Sequence, residues 1–229
     1  MFSRTGLVAL TIAAATSRAM SAEATIGGVS IKLPTPSGFC ELTDREPSDK
    51  RMIAFTADNL AKGGSKLIGM SADCGQLDDW RAGKRRVLDD VAQYQTAFIA
   101  MIKPTPAEQI KELCVLMRAE GDKLGKDLRS RFEQTFARIK LNDANFIGAI
   151  AEEPNVCYAA LIMKMSIDSV GEKTQAAIYA TMSVKNKLVL FYRFAPYLGF
   201  ESVSKGLLEL KADVAALLAA NQRQPARSQ

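Results

Sequence analysis

The stretch 174–197 constrains the fold more than any other part of this chain, because it predicts two long strands joined by a tight turn. Apolar and polar residues alternate along its first half, which is the period-two pattern of a strand with one buried face. A three-residue turn over 185–187 predicts these cross-strand pairs: Val184 with Leu188, Met182 with Leu190, and Ile178 with Phe194. Apolar side chains would then meet on one face of a β-hairpin.

The second strand of this hairpin is apolar on its other face as well, at Val189 and Phe191. Apolar residues on both faces indicate a strand inside the sheet, covered on both sides. Arg193 is expected to emerge at a sheet face or edge, and Tyr179 and Tyr192 are expected to pack with their hydroxyls toward polar partners. We therefore interpret the hairpin as scaffold and not as a functional site.

The rest of the chain alternates short strands with amphipathic helices. Strands are predicted over 29–33, 38–42, 66–72, 91–102, 144–152 and 157–167, with a helix as the alternative for 91–102. Ser48 is the predicted cap of a helix over 49–62, and Thr105 begins a capping-box pattern that predicts a helix over 105–120. Two more helices follow from helical spacing: one with Leu124, Leu128, Phe132, Phe136 and Ile139, and a last one with Val203, Leu207, Leu210, Val214 and Leu217.

These elements predict one α+β domain over 23–220. In this domain a mostly antiparallel sheet with a C-terminal β-hairpin is covered by amphipathic helices. No linker rich in Pro, Gly or Ser divides the predicted domain. The polar segment 221–229 is expected to be a flexible tail.

The N-terminus predicts a secretory signal peptide over 1–22, with cleavage between about 19 and 24. Arg4 supplies the positive charge and 6–16 the apolar core, whereas a buried N-terminal helix is the alternative. The candidate cleavage sites are Ser17-Arg18-Ala19, Ala19-Met20-Ser21 and Ala22-Glu23-Ala24. We expect a soluble periplasmic or secreted protein with no transmembrane segment in the mature chain, because no later apolar run is long enough to span a bilayer.

Four cysteines lie beyond the signal peptide, and an even number in an oxidising compartment permits two disulfides in three connectivities. Pairing Cys40 with Cys74 and Cys114 with Cys157 is favoured, because each pair joins neighbouring elements and closes a loop of a few tens of residues. Buried free thiols are the alternative. The spacings do not match a zinc ribbon or a thioredoxin-type motif.

The chain contains no histidine, and this absence limits the chemistry it can perform. It excludes Ser-His-Asp and Cys-His nucleophile systems and histidine metal sites. Three adjacent acid pairs remain, Asp78-Asp79, Asp89-Asp90 and Glu152-Glu153. Neighbouring residues point in different directions on a helix or a strand, so these pairs are expected to be surface acids and not catalytic pairs.

An aromatic residue stands beside four cations in the segment after the second cysteine. These residues are Trp80, Arg81, Lys84, Arg85 and Arg86. Such a surface could hold an anionic glycan, a lipid surface or an envelope protein. An exposed helical face with ion pairs between residues i and i+4 is the alternative, since aspartates flank the cations.

Three segments resemble a family of uncharacterised exported proteins from alpha-proteobacteria: GFCELT (38–43), SADCGQLDDWRAGKRR (71–86) and CYAAL (157–161). The resemblance covers most of the mature chain and implies no known activity. The opening pattern VSIKLPTPSGFCEL (29–42) is similar to the start of Mog1/PsbP-like α/β/α sandwich modules. That resemblance implies a sheet between helices and a role in binding or assembly.

The leading functional hypothesis is a non-enzymatic binding or accessory module of the Gram-negative cell envelope, without a cofactor. A carboxylate-dependent enzyme acting on envelope glycans is the alternative, and it requires two acids facing each other across a cleft. The formal charge of +5 includes two arginines of the signal peptide, so the mature chain is only mildly basic. Nucleic acid is therefore not an expected partner.

Overall fold

The computed structural model describes residues 22–121, 123, 126, 139–168 and 170–222. The strands are β1 Ala22–Ile26, β2 Val29–Leu33, β3 Phe39–Glu41, β4 Ser65–Asp73, β5 Val91–Ala97, β6 Ile139–Glu153, β7 Val156–Ile167, β8 Gly171–Val184 and β9 Lys187–Pro196. The helices over the same residues are α1 Pro47–Lys62, α2 Cys74–Arg81, α3 Phe98–Ile102, α4 Ala107–Ala119 and α5 Phe200–Asn221.

Seven strands form one antiparallel sheet in the order β3-β4-β5-β9-β8-β7-β6, and β1 pairs with β2 in a separate hairpin. This arrangement confirms the predicted α+β class with a mostly antiparallel sheet. The hairpin β8–β9 lies at its centre, because β9 pairs with β5 on one side and with β8 on the other. β9 is therefore an interior strand, as its two apolar faces predicted.

The predicted register of this hairpin is wrong by one residue. The turn contains two residues, Lys185 and Asn186, both with positive φ, at 51° and 60°. Two left-handed residues form the tight hairpin turn whose twist suits the flanking strands. The observed cross-strand pairs are Val184 with Lys187, Met182 with Val189, and Ile178 with Arg193. Because side chains alternate along a strand, the shift moves Leu188, Leu190 and Phe194 to the opposite face of the sheet.

One face of the sheet is closely packed, and we call it the packed face. Long helix α5 and the β1–β2 hairpin cover it, and its core includes Met182, Phe191 and Leu210, all fully buried. Gly206 lets α5 approach β8, since a Cβ there would lie 2.3 Å from the Cδ1 atom of Ile178. The side chain of Ile178 could not keep its position if Gly206 carried a side chain.

The C-terminal boundary predicted at 221 is one residue early. Asn221 is the last residue of α5 and is buried. Its amide nitrogen donates to the backbone oxygen of Lys32 at 2.8 Å, and its amide oxygen accepts from the backbone nitrogen of Lys32 at 2.9 Å. Asn221 therefore fastens the end of α5 to β2. The remainder of the predicted tail, 223–229, lies outside the described residues.

The opposite face carries α1, α2 and α4, and we call it the cleft face. Both favoured disulfides are present on this face. Cys40–Cys74 joins β3 to the first residue of α2, and Cys114–Cys157 joins α4 to β7. Among the described residues no cysteine is free, so the alternative of buried thiols is wrong.

Helix starts differ from those predicted. Helix α1 begins at Pro47 with Glu46 as its cap residue, so Ser48 lies inside the helix. Helix α4 begins at Ala107, and Pro106 is its cap residue without a side-chain hydrogen bond. Thr105 therefore precedes the cap residue. Its backbone nitrogen donates to the backbone oxygen of Asn186, and its backbone oxygen accepts from the hydroxyl of Ser183, so it links the start of α4 to the β8–β9 hairpin.

Two further predictions need a boundary correction. The stretch 91–102 is a strand only as far as Ala97 and then becomes the short helix α3. Ile139 is the first residue of β6 and does not end the helix predicted over 124–139. The other positions that predicted this helix, Leu124, Leu128, Phe132 and Phe136, lie outside the described residues, as does the signal peptide as far as residue 21.

Candidate functional site

An apolar cleft of about 800 Å³ lies on the cleft face beside α1. Its floor consists of side chains from five adjacent strands, β4, β5, β9, β8 and β7. Four steps between neighbouring strands span about 19 Å, so the floor of the cleft is wide. A volume of several hundred Å³ lined by apolar groups is typical of a small-molecule binding site.

Helix α1 forms one wall of the cleft because its cleft-facing residues recur at helical spacing. These residues are Ser48, Arg51, Met52, Phe55, Thr56 and Leu60. Positions three and four residues apart lie on the same side of a helix. The same spacing gives α1 an apolar stripe, and part of this stripe faces the cleft while Ile53 packs against the core around Leu77.

Methionines and aromatic rings make up much of the lining. Four of the nine methionines in the chain lie there, Met52, Met70, Met163 and Met165. Methionine is unbranched and polarizable, and it adapts to apolar partners of different shapes. Tyr192 and Phe194 stack with ring centroids 5.9 Å apart, and Tyr192 also stacks on Tyr179 at 4.7 Å. The methionine side chains of β7 can therefore adjust to a ligand, whereas the stacked rings of β9 form a more rigid part of the floor.

Several neutral polar groups lie on the floor of the cleft. Gln93 and Gln95 project from β5, and the amide nitrogen of Gln95 donates to the amide oxygen of Gln93 at 3.1 Å. Burial raises the pKa of Tyr192 to about 12, so its hydroxyl is protonated at neutral pH and remains a donor. A ligand that lies over these groups can be held by hydrogen bonds without a charged partner.

Charged side chains gather at one end of the cleft, where the loop after α2 meets β8. Lys173 on β8 pairs with Asp89, and Arg85 pairs with the same carboxylate at 2.5 Å. Burial alone would raise the pKa of Asp89. The hydrogen bonds from Lys173 and Arg85, together with their positive charges, outweigh burial and lower that pKa. The nitrogen of the Gln175 side chain donates to the backbone oxygen of Asp89 at 3.1 Å, which fixes the loop against the sheet.

A buried ion pair fixes the position of α1. Asp49 is fully buried, and Arg81 at the end of α2 binds its two carboxylate oxygens at 3.1 and 2.5 Å. Burial alone would raise the pKa of Asp49, but hydrogen bonds from Arg81 and from the backbone nitrogen of Thr43 together lower it. The pair links α1 to α2, and α2 is in turn linked to β3 by the disulfide Cys40–Cys74.

The predicted Trp80–Arg86 surface is divided between different roles. Arg81 and Arg85 are engaged in the ion pairs just described, and Lys84 is exposed. Trp80 and Arg86 line the cleft. Helix α2 ends at Arg81, so the cations at 84–86 belong to a loop, although Arg85 and Asp89 do form the ion pair at i and i+4 of the alternative interpretation.

Two of the three adjacent acid pairs are divided between separate partners, and Asp78 and Asp79 are both exposed on α2. Asp89 pairs with Lys173 and Arg85, whereas Asp90 accepts a hydrogen bond from Gln76. Glu152 pairs with Arg118 and Glu153 with Lys211, which lie on different helices. Within the described lining of the cleft Asp168 is the only carboxylate, and the described residues contain no group of three acids or cysteines that could hold a metal.

Arg193 lies on the packed face and has no place in the cleft. Its guanidinium binds Asp213 at 2.6 Å and Glu209 at 3.2 Å, both on α5, and it lies 4.8 Å from the ring centre of Phe39. Its side chain is 13% exposed. Arg193 therefore emerges at a sheet face, which was one of its two expected positions, and it joins β9 to α5 as a scaffold residue.

Sequence reasoning did not find the cleft. Its floor combines residues from β4, β5, β7, β8 and β9, which are distant in sequence, so no local motif marks it. One signal was available: Met163 and Met165 alternate on β7 in the same way as Gln93 and Gln95 on β5. Both pairs lie at period two, but only the register of the sheet brings them to the same face.

Comparison with known proteins gives a weak structural resemblance. The Ran-binding protein Mog1p of Saccharomyces cerevisiae matches with a TM-score of 0.29 and 12% identity, over 88% of this chain and 92% of that chain. A point mutant of protein Mog1 matches with a TM-score of 0.31 and 12% identity, over 88% and 93%. No protein-family model and no curated protein matches the chain.

The resemblance to Mog1 agrees with the one expected from the opening pattern 29–42, but at these TM-scores it supports no argument about function. Among the described helices, none combines the length and the apolar character that a membrane crossing requires.

Proposed function

We propose that this protein is a non-enzymatic binding module of the Gram-negative cell envelope, and that it holds an apolar ligand in the cleft beside α1. The observation that carries the proposal is the cleft itself, which is about 800 Å³ and is lined mainly by apolar side chains of α1 and five strands. A space of this size with few polar groups is suited to sequestering a molecule and offers little for chemistry.

Export to the periplasm is supported by the two disulfides, which are compatible with an oxidising compartment. The structure favours some of the candidate cleavage sites over others. Strand β1 begins at Ala22, and Ala22 pairs with Leu33. Cleavage after Ala19 or Ser21 leaves β1 intact, whereas cleavage after Ala24 removes three of its five residues. We expect the N-terminus of the exported protein at Met20 or Ala22, as intact-mass measurement would show.

The binding proposal can be tested with an environment-sensitive apolar dye such as N-phenylnaphthylamine. We expect saturable binding of the dye with increased fluorescence, since the cleft excludes water from one side of the bound molecule. Thr56→Trp should weaken binding at least 5-fold, because Thr56 is half-buried and lines the cleft from α1.

Ala54→Trp is the matched control, because Ala54 is exposed on the same helix and does not line the cleft. This variant should bind the dye like the wild type. Equal loss of binding in both variants, or no saturable binding by the wild type, would contradict the proposal.

A further inference from the structure

The charged end of the cleft carries more cations than acids. Arg51, Arg86 and Lys173 line it, and Asp168 is the carboxylate that lines it with them. Asp89 does not line the cleft, but it pairs with both Lys173 and Arg85, so one carboxylate is shared by two cations. The described lining of the cleft contains three cations and one carboxylate. An excess of positive charge beside an apolar cavity attracts an anionic group on an apolar ligand.

The position of Arg51 supports the same conclusion. It lies in the first half of α1, two residues after Asp49, and Asp49 is fixed to Arg81 of α2. The loop that follows α2 carries Arg86. The ion pair thus holds the N-terminal part of α1 close to α2, and Arg51 and Arg86 both line the cleft.

The opposite end differs in character. There Leu161 pairs with Ala177, four residues beyond Lys173 on β8, and Tyr192 pairs with Tyr179, farther still along that strand. Leu161 and Tyr192 line the cleft with Leu60, which lies in the last turn of α1. The cleft is thus polarised along the strand direction, apolar at one end and cationic at the other. The apolar floor also extends across five strands, about 19 Å, which leaves room for an extended chain.

We propose that the ligand is a single-chain amphiphile with an anionic headgroup, either a carboxylate or a phosphate. The acyl chain lies along the methionine and aromatic floor, and the headgroup lies at Arg51, Arg86 and Lys173. This inference rests on the proposed binding function and adds the ligand class and its orientation. Arginine suits both headgroups, because its planar donors match carboxylate and phosphate oxygens in pairs.

The test compares three ligands with the same twelve-carbon chain: dodecanoate, dodecyl phosphate and dodecanol. Isothermal titration calorimetry with the full exported protein, below the micelle concentration, gives each dissociation constant. We expect the better of the two anions to bind about 10-fold more tightly than dodecanol, and added salt to reduce that preference. The ratio between the two anions identifies the headgroup.

Variants locate the headgroup. Arg51→Gln combined with Arg86→Gln should weaken binding of the preferred anion about 10-fold and leave dodecanol binding unchanged. Lys50→Gln is the matched control, because Lys50 is the exposed neighbour of Arg51 and does not line the cleft. It should change neither ligand's affinity.

The outcomes separate this inference from the proposed function. If dodecanol binds as tightly as both anions, or if the double variant weakens all three ligands equally, the anionic headgroup is excluded while apolar binding stands. If none of the three ligands binds, the proposed function fails as well.

Discussion

The two faces of the central sheet are stabilised in different ways. The packed face is covered by α5 and β1–β2 and holds a large continuous core of fully buried side chains. The cleft face leaves about 800 Å³ open, and its buried residues form three smaller clusters. Both disulfides lie on the cleft face, and since the chain has four cysteines the packed face has none. A face that keeps a cavity buries less apolar surface, and here covalent links hold its helices in place.

The largest expected effect comes from removing the disulfide that holds α4. Cys114→Ala with Cys157→Ala should lower the free energy of unfolding by about 4 kcal/mol, because both residues are fully buried and the link constrains the unfolded chain. Cys40→Ala with Cys74→Ala should cost about 2–3 kcal/mol, since both residues are only half-buried. Urea unfolding monitored by circular dichroism gives both values. A greater loss for the second pair would contradict the role assigned to burial.

A matched pair of methionines compares the faces directly. Met182 is fully buried on the packed face, whereas Met163 is 6% exposed and borders the cleft. Met182→Ala should cost about 3 kcal/mol because it creates a new cavity, and Met163→Ala about 1 kcal/mol because it enlarges an existing one. Chemical denaturation measures the stability, and dye binding should be altered only by Met163→Ala. Equal losses of stability would show that the cleft wall is packed as tightly as the core.

The sequence predicted the fold class, the interior position of β9 and the favoured cysteine pairs, because each depends on local pattern or on short separations. The cleft depends on register, and the register of β9 depends on whether the turn has two or three residues. The sequence pattern placed Lys187 in the turn and therefore assigned Leu188 and Phe194 to the wrong face of the sheet. The aromatic floor of the cleft was for this reason not predicted. The roles of Arg81 and Arg193 depend on Asp49 and Asp213, which lie at least 20 residues away in sequence.

Two ion-paired aspartates, buried Asp49 on the cleft face and half-buried Asp213 on the packed face, should give opposite responses to pH. The pKa of Asp49 on the cleft face is lowered in the folded protein, since the hydrogen bonds from Arg81 and Thr43 outweigh burial. Its stabilising contribution is therefore present above the unfolded pKa of about 4 and is lost as the pH falls through the folded pKa. The pKa of Asp213 on the packed face is raised by burial, which Arg193 only partly offsets. Its ionisation therefore costs stability as the pH rises through that raised value.

Urea midpoints measured across acidic pH would check both signs. Relative to the wild type, Asp49→Asn should lose more stability at neutral than at low pH. Asp213→Asn should instead gain relative to the wild type as the pH rises through the folded pKa of Asp213. Parallel pH curves for the wild type and both variants would show that neither aspartate titrates differently in the folded protein.

The smallest expected effect concerns the turn that sets the register between the two faces. Asn186 has a φ of 60°, a conformation that glycine adopts without steric cost. The backbone oxygen of Asn186 accepts from Thr105, and a glycine would keep this hydrogen bond. Asn186→Gly should therefore raise the free energy of unfolding by about 0.5 kcal/mol, because glycine is favoured at this position of a two-residue turn. Asn186→Val should instead lower it by about 1–2 kcal/mol, since a β-branched residue is strained at positive φ. If valine were tolerated as well as glycine, the turn would not have the two-residue form, and the side chains of β9 would not be distributed between the packed face and the cleft as described.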